Sequence, residues 1–402
     1  MKLSLIMRSL MVAGVITSAP YAMASTNSFD ARVTAMGGTG VAAGKFGSAP
    51  LVNPALLAKS PADGKFSLIA PSIGAHADDE GHLIDSFKDL KPAWNTLENA
   101  INNGSSASPQ AGELKGIMSD LSGKDANASA SMAFVLAVPD ETLPVALSIN
   151  SWGQGTARGL VSQGDLDYLE GISNGSITPV PGDMDKLTSR AEGMVALVTD
   201  YGVSLAHPFT VGDVPVAFGI TPKIQRIEIW NYNVGINNYK SSDFKEGNWQ
   251  RQTISGNLDT GFFADLQPNW TVALSAQNLF QNRMESQKVN GTRTAFVVRP
   301  QVTAGTSWKT GPITLSSDVD LSPISGFENV DKRQYIGAGA EMQAAEWLQV
   351  RAGYRVDMRG NDHRTFSAGV GLSPNDAVQF DLTAIAGRMR NIGGVAQLTF
   401  HF

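Results

Sequence analysis

Few residues in this chain could run a reaction. It contains no Cys, which removes thiolate nucleophiles, disulfides and zinc–thiolate sites together. Its five His are His76, His82, His207, His363 and His401, and nothing places a Ser beside a His and a carboxylate. One G-x-S-x-G string occurs, Gly171 to Gly175, but it falls inside the long connection 156–193 with no strand leading into it, as a nucleophile turn needs. His76, Asp78, Asp79, Glu80 and His82 crowd one stretch. Such donors can hold a divalent cation, but the spacing matches no metal loop, solvated polar loops look the same, and no metal site is assigned. A phosphate loop needs G-x-x-x-x-G-K-[ST]. Here Gly40 stands four residues before Gly44 and Lys45 is followed by Phe46. The reading is therefore not an enzyme, and no cofactor is expected.

The remaining charges fall at alternate positions of apolar segments. Arg351, Arg355 and Asp357 alternate with Val350, Ala352, Tyr354 and Val356, and Asp318 and Asp320 alternate with Val319 and Leu321. A strand sends successive side chains to opposite faces, so each segment has one apolar and one polar side. The polar sides carry Asp259, Asp265, Arg299, Asp318, Asp320, Glu341, Arg351, Arg355, Asp357 and Asp381. Opposite charges so placed form a network that ties a wall together, or else line a polar passage. A barrel with lipid outside and a wet lumen inside satisfies both faces.

Fourteen such segments lie between residues 66 and 402, among them 270–281, 295–308 and 391–402. The connections alternate long and short through most of the chain: 77–127 long, 139–143 short, 156–193 long, 208–213 short. An up-and-down barrel with long outer loops and tight periplasmic turns predicts this, and an even count puts both termini in the periplasm. In the last segment Leu398, Phe400 and Phe402 share the apolar face and end the chain on an aromatic residue, the form of end that barrel-assembly machinery receives. Trp152, Trp270, Trp308 and Trp347 fall near strand ends and suit an interfacial girdle. Trp230, Tyr232, Tyr239 and Trp249 cluster about the 231–252 loop, where a sugar-stacking surface is the alternative.

Residues 1–24 read as a secretory signal peptide: Lys2 and Arg8, a short apolar core, then Ala22-Met23-Ala24. Their loss takes the formal charge from −6 to about −8, so no nucleic-acid partner is expected. Charged residues are 17% of the chain, below the usual ~25%. After the leader no apolar run approaches the ~20 residues of a spanning helix. Within the first long connection, residues about 82–124 carry Phe87, Leu90, Trp94 and Leu97 near helical spacing, then Leu114, Ile117, Met118 and Leu121. Two short helices are expected at the extracellular mouth, as a lid packed on itself or as a hydrophobic capture site.

Residues 30–59 read DARVTAMGGTGVAAGKFGSAPLVNPALLAK. This string resembles the amino-terminal region of FadL-like outer-membrane proteins, closest to the branch named conjugal transfer protein TraF. It does not resemble the thioredoxin-like periplasmic protein of that name. The resemblance implies a 14-stranded transmembrane β-barrel in the outer membrane (66–402) whose segment 25–65 enters the lumen as a hatch. Asp30, Arg32, Met36, Gly37, Gly38, Gly40, Asn53 and Pro54 carry it. It also implies passage of hydrophobic or amphipathic small molecules such as long-chain fatty acids, or alternatively a non-transporting component that binds a conjugation or secretion partner. Read from the residues, the glycines permit positive φ and close backbone approach in a crowded lumen.

Overall fold

Alternating side chains make two-faced strands, and two-faced strands around water close into a barrel. The computed structural model describes residues 28–79, 81–238, 249–360, 364–388 and 390–402. The expected signal peptide, Glu80, Tyr239 and His363 lie outside the described residues.

The wall is built from fourteen antiparallel strands closed on themselves. They are β1 (Ser67–Asp78), β2 (Asp125–Val138), β3 (Val145–Leu160), β4 (Arg190–Val211), β5 (Val214–Gly235), β6 (Gln250–Gln267), β7 (Trp270–Gln277), β10 (Gln301–Thr310), β11 (Ile313–Asp320), β13 (Tyr335–Ala345), β14 (Leu348–Asp357), β15 (Arg364–Asn375), β16 (Val378–Gly387) and β17 (Asn391–His401). β1 pairs with both β2 and β17, which closes the sheet. At that seam Phe66 and Phe402 exchange backbone hydrogen bonds of 2.7 and 3.2 Å. The last strand follows its alternation: Asn391, Gln397 and Thr399 are buried inward, while Ile392 and Phe402 are exposed. Trp270, Trp308 and Trp347 are exposed at the short-turn end, as an interfacial girdle requires.

The segment 295–308 is not one strand. Pro300 has no N–H to give to the ladder. The chain leaves the barrel there, so β9 (Ala295–Val298) joins β8 (Asn282–Glu285) and β12 (Gly326–Phe327) in a separate three-stranded sheet. Likewise 270–281 ends as wall at Gln277, because Asn278 turns into the left-handed region at φ 55°. The small sheet lies across the long-loop end of the barrel. Its Met284, Phe296, Val298 and Phe327 pack on Trp152, Met194, Val198 and Ile229 of the inner wall. Trp152 is therefore buried against Phe296 rather than placed in a girdle. Trp230 and Tyr232 are buried as well.

Among the described residues, five α-helices complete the chain. α1 (Ala31–Ala35) and α2 (Ala49–Val52) sit inside the barrel. α3 (Leu83–Asn102), α4 (Ser108–Leu121) and α5 (Gln163–Ser173) form a cap at the long-loop end. The second long connection, expected as loop, thus contributes a helix of its own. Asp79 Oδ1 accepts the Leu83 N–H at 2.7 Å and starts α3. The expected capture residues Leu90, Trp94 and Leu97 are buried against Leu114, Met118, Leu121 and Leu169, and Phe87 packs on the same core. Leu90, Trp94 and Leu97 thus present no open apolar surface, and Phe87 is half-buried. No described helix is long and apolar enough to cross a membrane.

Candidate functional site

Residues 28–58 run through the lumen, and nearly all are buried. Asp30 caps α1, its Oδ1 accepting the Val33 N–H at 2.8 Å. One turn of helix is enough to aim Arg32 at the wall. Its Nε and Nη2 donate to Glu341 Oε2 and Oε1, each at 2.8 Å, in a two-pronged pair. Glu341 also accepts from Arg351 Nε at 2.6 Å, and Arg351 Nη1 donates to Asp381 at 2.6 Å. The chain thus carries a line of alternating charge from the segment through three wall strands.

Beyond α1 the backbone turns at Gly37 (φ 74°) and Gly38 (φ 84°). The next stretch presents the N–H groups of Gly40 and Val41 to Asp318 Oδ2, at 2.7 and 2.9 Å. Thr39 and Ser316 meet hydroxyl to hydroxyl at 2.5 Å. Asn53 donates to the Val41 carbonyl at 2.8 Å, accepts the Ala55 N–H at 3.1 Å, and reaches the Phe262 carbonyl at 3.3 Å. Pro54 follows it as the first residue of a short 3-10 turn, Pro54–Ala58. Met36 is fully buried. Lys59 leaves the lumen paired to Asp265 at 2.9 Å.

The expected lumen network is therefore two groups. Glu341, Arg351 and Asp381 join Arg32, while Asp318, Asp320, Arg355 and Asp357 lie nearer the long-loop end. Asp320 accepts from Thr303 and from the Tyr335 N–H. Arg355 stacks over the Tyr335 ring at 4.6 Å. Asp357 accepts the Gln334 and Arg359 N–H groups. Asp259 pairs with Lys223, which also reaches Asp200. Arg299 is not inside the wall: it sits in the β9–β10 connection and donates to the Ile324 and Gly326 carbonyls. His76 and His82 do not converge, His76 being fully buried and His82 exposed at the cap.

Sequence reasoning missed the wall residues that make room for the segment. A Cβ at Gly339 would strike the Met36 carbonyl, one at Gly353 the Gly37 backbone, one at Gly337 the Gly37 carbonyl, and one at Gly219 the Pro54–Ala55 peptide. An isolated glycine inside a strand is the available signal, since it marks close backbone approach.

The lumen is also divided by chemistry. The segment's first part, residues 30–41, touches β11 and β13–β17 through polar groups. Its second part places Val41, Phe46, Leu51, Val52, Leu56 and Leu57 against Ile69, Ala133, Val135, Ala137, Ala146, Ala206, Ala217, Phe263 and Ala273 on β1–β7. The wall facing this second part is an alanine-rich patch, with the buried Asp200–Lys223–Asp259 group beside Pro50 and Leu51. Two cavities between segment and wall measure about 40 and 20 Å³, far below the ~150 Å³ that accepts a benzene ring.

A plugged fourteen-strand barrel with an aromatic short-turn rim defines the class by its fold, that of FadL-like outer-membrane β-barrels. Residues 50–320 match the family described as "F plasmid transfer operon, TraF, protein", and the chain belongs to that family. Three solved structures share the fold. The toluene transporter TbuX of Ralstonia pickettii is 12% identical, with TM-score 0.54, 94% of this chain and 99% of that one covered. A FadL homologue of Pseudomonas aeruginosa is 9% identical, with TM-score 0.52 and 96% and 99% covered. A deletion mutant of TodX, described as a monoaromatic hydrocarbon channel, is 10% identical, with TM-score 0.55 and 93% and 99% covered. At such identities the likeness is one of fold. No curated protein matches the chain.

Proposed function

We propose that this chain is an outer-membrane conduit for small hydrophobic or amphipathic molecules, held shut by residues 28–58. The observation that carries this reading is the alanine-rich patch of the lumen. It is covered by the apolar side chains of the segment, so withdrawal of residues 46–57 would bare an apolar patch bordered by the Asp200–Lys223–Asp259 group, suited to a hydrophobic or amphipathic cargo. The structural neighbours named for toluene and monoaromatic hydrocarbons support the same class of cargo. In this reading the short-turn end and both termini face the periplasm, the signal peptide exports the chain, barrel-assembly machinery inserts it, and outer-membrane lipid surrounds it.

A second reading has its own observation. Every neighbouring pair in the wall is hydrogen-bonded. The ladder skips Ala70–Pro71 of β1 against both β2 and β17, and lapses again beside Pro222, where Val203–Ser204 and Thr221–Pro222 are unpaired between β4 and β5. Even there Ser204 and Thr221 join by their hydroxyls at 2.8 Å, and Pro222 stays in register with Leu258 of β6. A sealed wall with a fixed plug suits a non-transporting barrel that binds a conjugation or secretion partner.

Uptake separates the two. Cells lacking their own hydrophobic channel, expressing this chain, should take up radiolabelled toluene or a long-chain fatty acid faster than vector controls. Uptake at the control rate, with the barrel folded in the outer membrane, would discard the conduit and leave the partner reading.

A further inference from the structure

The 40 Å³ cavity at the seam between Gly37–Val41 and the wall has an unusual lining. Its wall side includes Gln301, Thr303, Asp318, Asp320, Tyr335 and Arg355. Asp318 and Asp320 are each 6% exposed and Gln301 is 5% exposed. Asp318 spends Oδ2 on the Gly40 and Val41 amides, while its Oδ1 has no hydrogen-bond partner. Gln301 Oε1 has none either. Two buried oxygen acceptors thus border one small cavity with nothing donating to them. Buried acceptors without a donor are rare in folded proteins.

Charge points the same way. Neither Asp318 nor Asp320 takes part in an ion pair among the described residues. The cation lining the same cavity is Arg355, which lies over the Tyr335 ring, so the lining holds two carboxylates and one guanidinium. The space exceeds the ~10–15 Å³ that one water needs. No three His, Cys, Asp or Glu side chains converge among the described residues. The available donors are carboxylate, amide and hydroxyl oxygens, which suit a hard cation and not a zinc-like one.

We propose that this cavity binds a single hard cation, sodium or calcium, through Asp318 Oδ1 and Gln301 Oε1, with Asp320 and Thr303 beside it. A cation there keeps Asp318 ionised and so strengthens its grip on the Gly40 and Val41 amides, charge-assisted hydrogen bonds being the stronger kind. Seating of the amino-terminal segment then depends on the cation. The proposal goes beyond the conduit reading, since a plug in a non-transporting barrel would be held in the same way.

The test uses the purified full-length barrel in non-ionic detergent with choline as the sole cation. Sodium chloride, calcium chloride or magnesium chloride is titrated in, and heat release and thermal unfolding are followed. Asp318→Asn and Gln301→Leu are measured beside the wild type. The expected result is one saturable site per chain for sodium or calcium, a higher Tm when it is filled, and binding weakened about tenfold or more in both variants. Wild-type protein with the same Tm in choline, sodium and calcium would overturn the proposal, as would variants that bind like the wild type; the cavity then holds water only. Should Asp318→Asn fail to fold, Gln301→Leu and the wild-type titration still decide.

Discussion

Arg351 is fully buried between Glu341 and Asp381, and Glu341 is shared with Arg32 of the lumen segment. Removing one member of such a group leaves a buried charge uncompensated, at about 3–5 kcal/mol. Glu341→Gln should therefore lower the barrel's Tm and also loosen residues 28–58, read as faster thiol labelling of a cysteine placed at Ala43. Unchanged labelling would show that the ion pairs do not hold the segment. Glu341, Arg351 and Asp381 were legible from strand alternation, because inward positions recur with period two. Arg32 was not legible as their partner. Nothing local in the amino-terminal string says which of several inward carboxylates a helical turn will face.

Among the elements, α1 and the two glycines after it fit only because β13 and β14 lack side chains where they touch. Gly353→Val should displace the segment by overpacking, about 1–3 kcal/mol, while circular dichroism shows the same β content. A folded variant with an unmoved segment would contradict the fit. At the cap, Asp79→Ala should weaken α3 by about 1 kcal/mol, seen as faster amide exchange over residues 83–102. The Lys186 ammonium, the Val180 N–H and the Tyr168 hydroxyl hold Asp183 down at about 2. Its contribution to the fold of residues 163–187 is present above the ordinary aspartate value of ~4 and is lost as pH falls towards 2. Asp183→Asn should flatten that acid dependence, measured by exchange at pH 6 and pH 3. The elements themselves were largely legible, with the same fourteen wall segments. The β8–β9–β12 sheet was not, since β9 continues the apolar pattern of β10 and only Pro300 marks the break.

For the whole molecule, what matters is that one segment serves two unlike walls. Its first third answers the charged positions of β11 and β13–β17, and its remainder an alanine-rich patch on β1–β7. The sequence showed the charges because they are conspicuous at inward positions. It hid the apolar patch because inward alanines on β1–β7 look like any small residue in a strand. That is why a polar lumen was the stronger impression from the residues alone, and why the division changes the functional reading towards apolar cargo. Long strands on one side, with 22 residues in β4 and in β5 against 8 in β7, raise that wall well above a membrane band ~25 Å tall. The small sheet and the cap rest against it.

The central claim is that movement of residues 28–58 opens the barrel. The chain has no cysteine of its own, so a disulfide can be introduced cleanly by Thr39→Cys with Ser316→Cys, where the two hydroxyls now meet at 2.5 Å. Uptake of a radiolabelled hydrophobic cargo would be measured in cells carrying this pair, oxidised and then reduced. The account predicts uptake at the control rate when the bridge is closed and recovery when it is reduced. Equal uptake in both states, with the bridge shown to be formed, would contradict it.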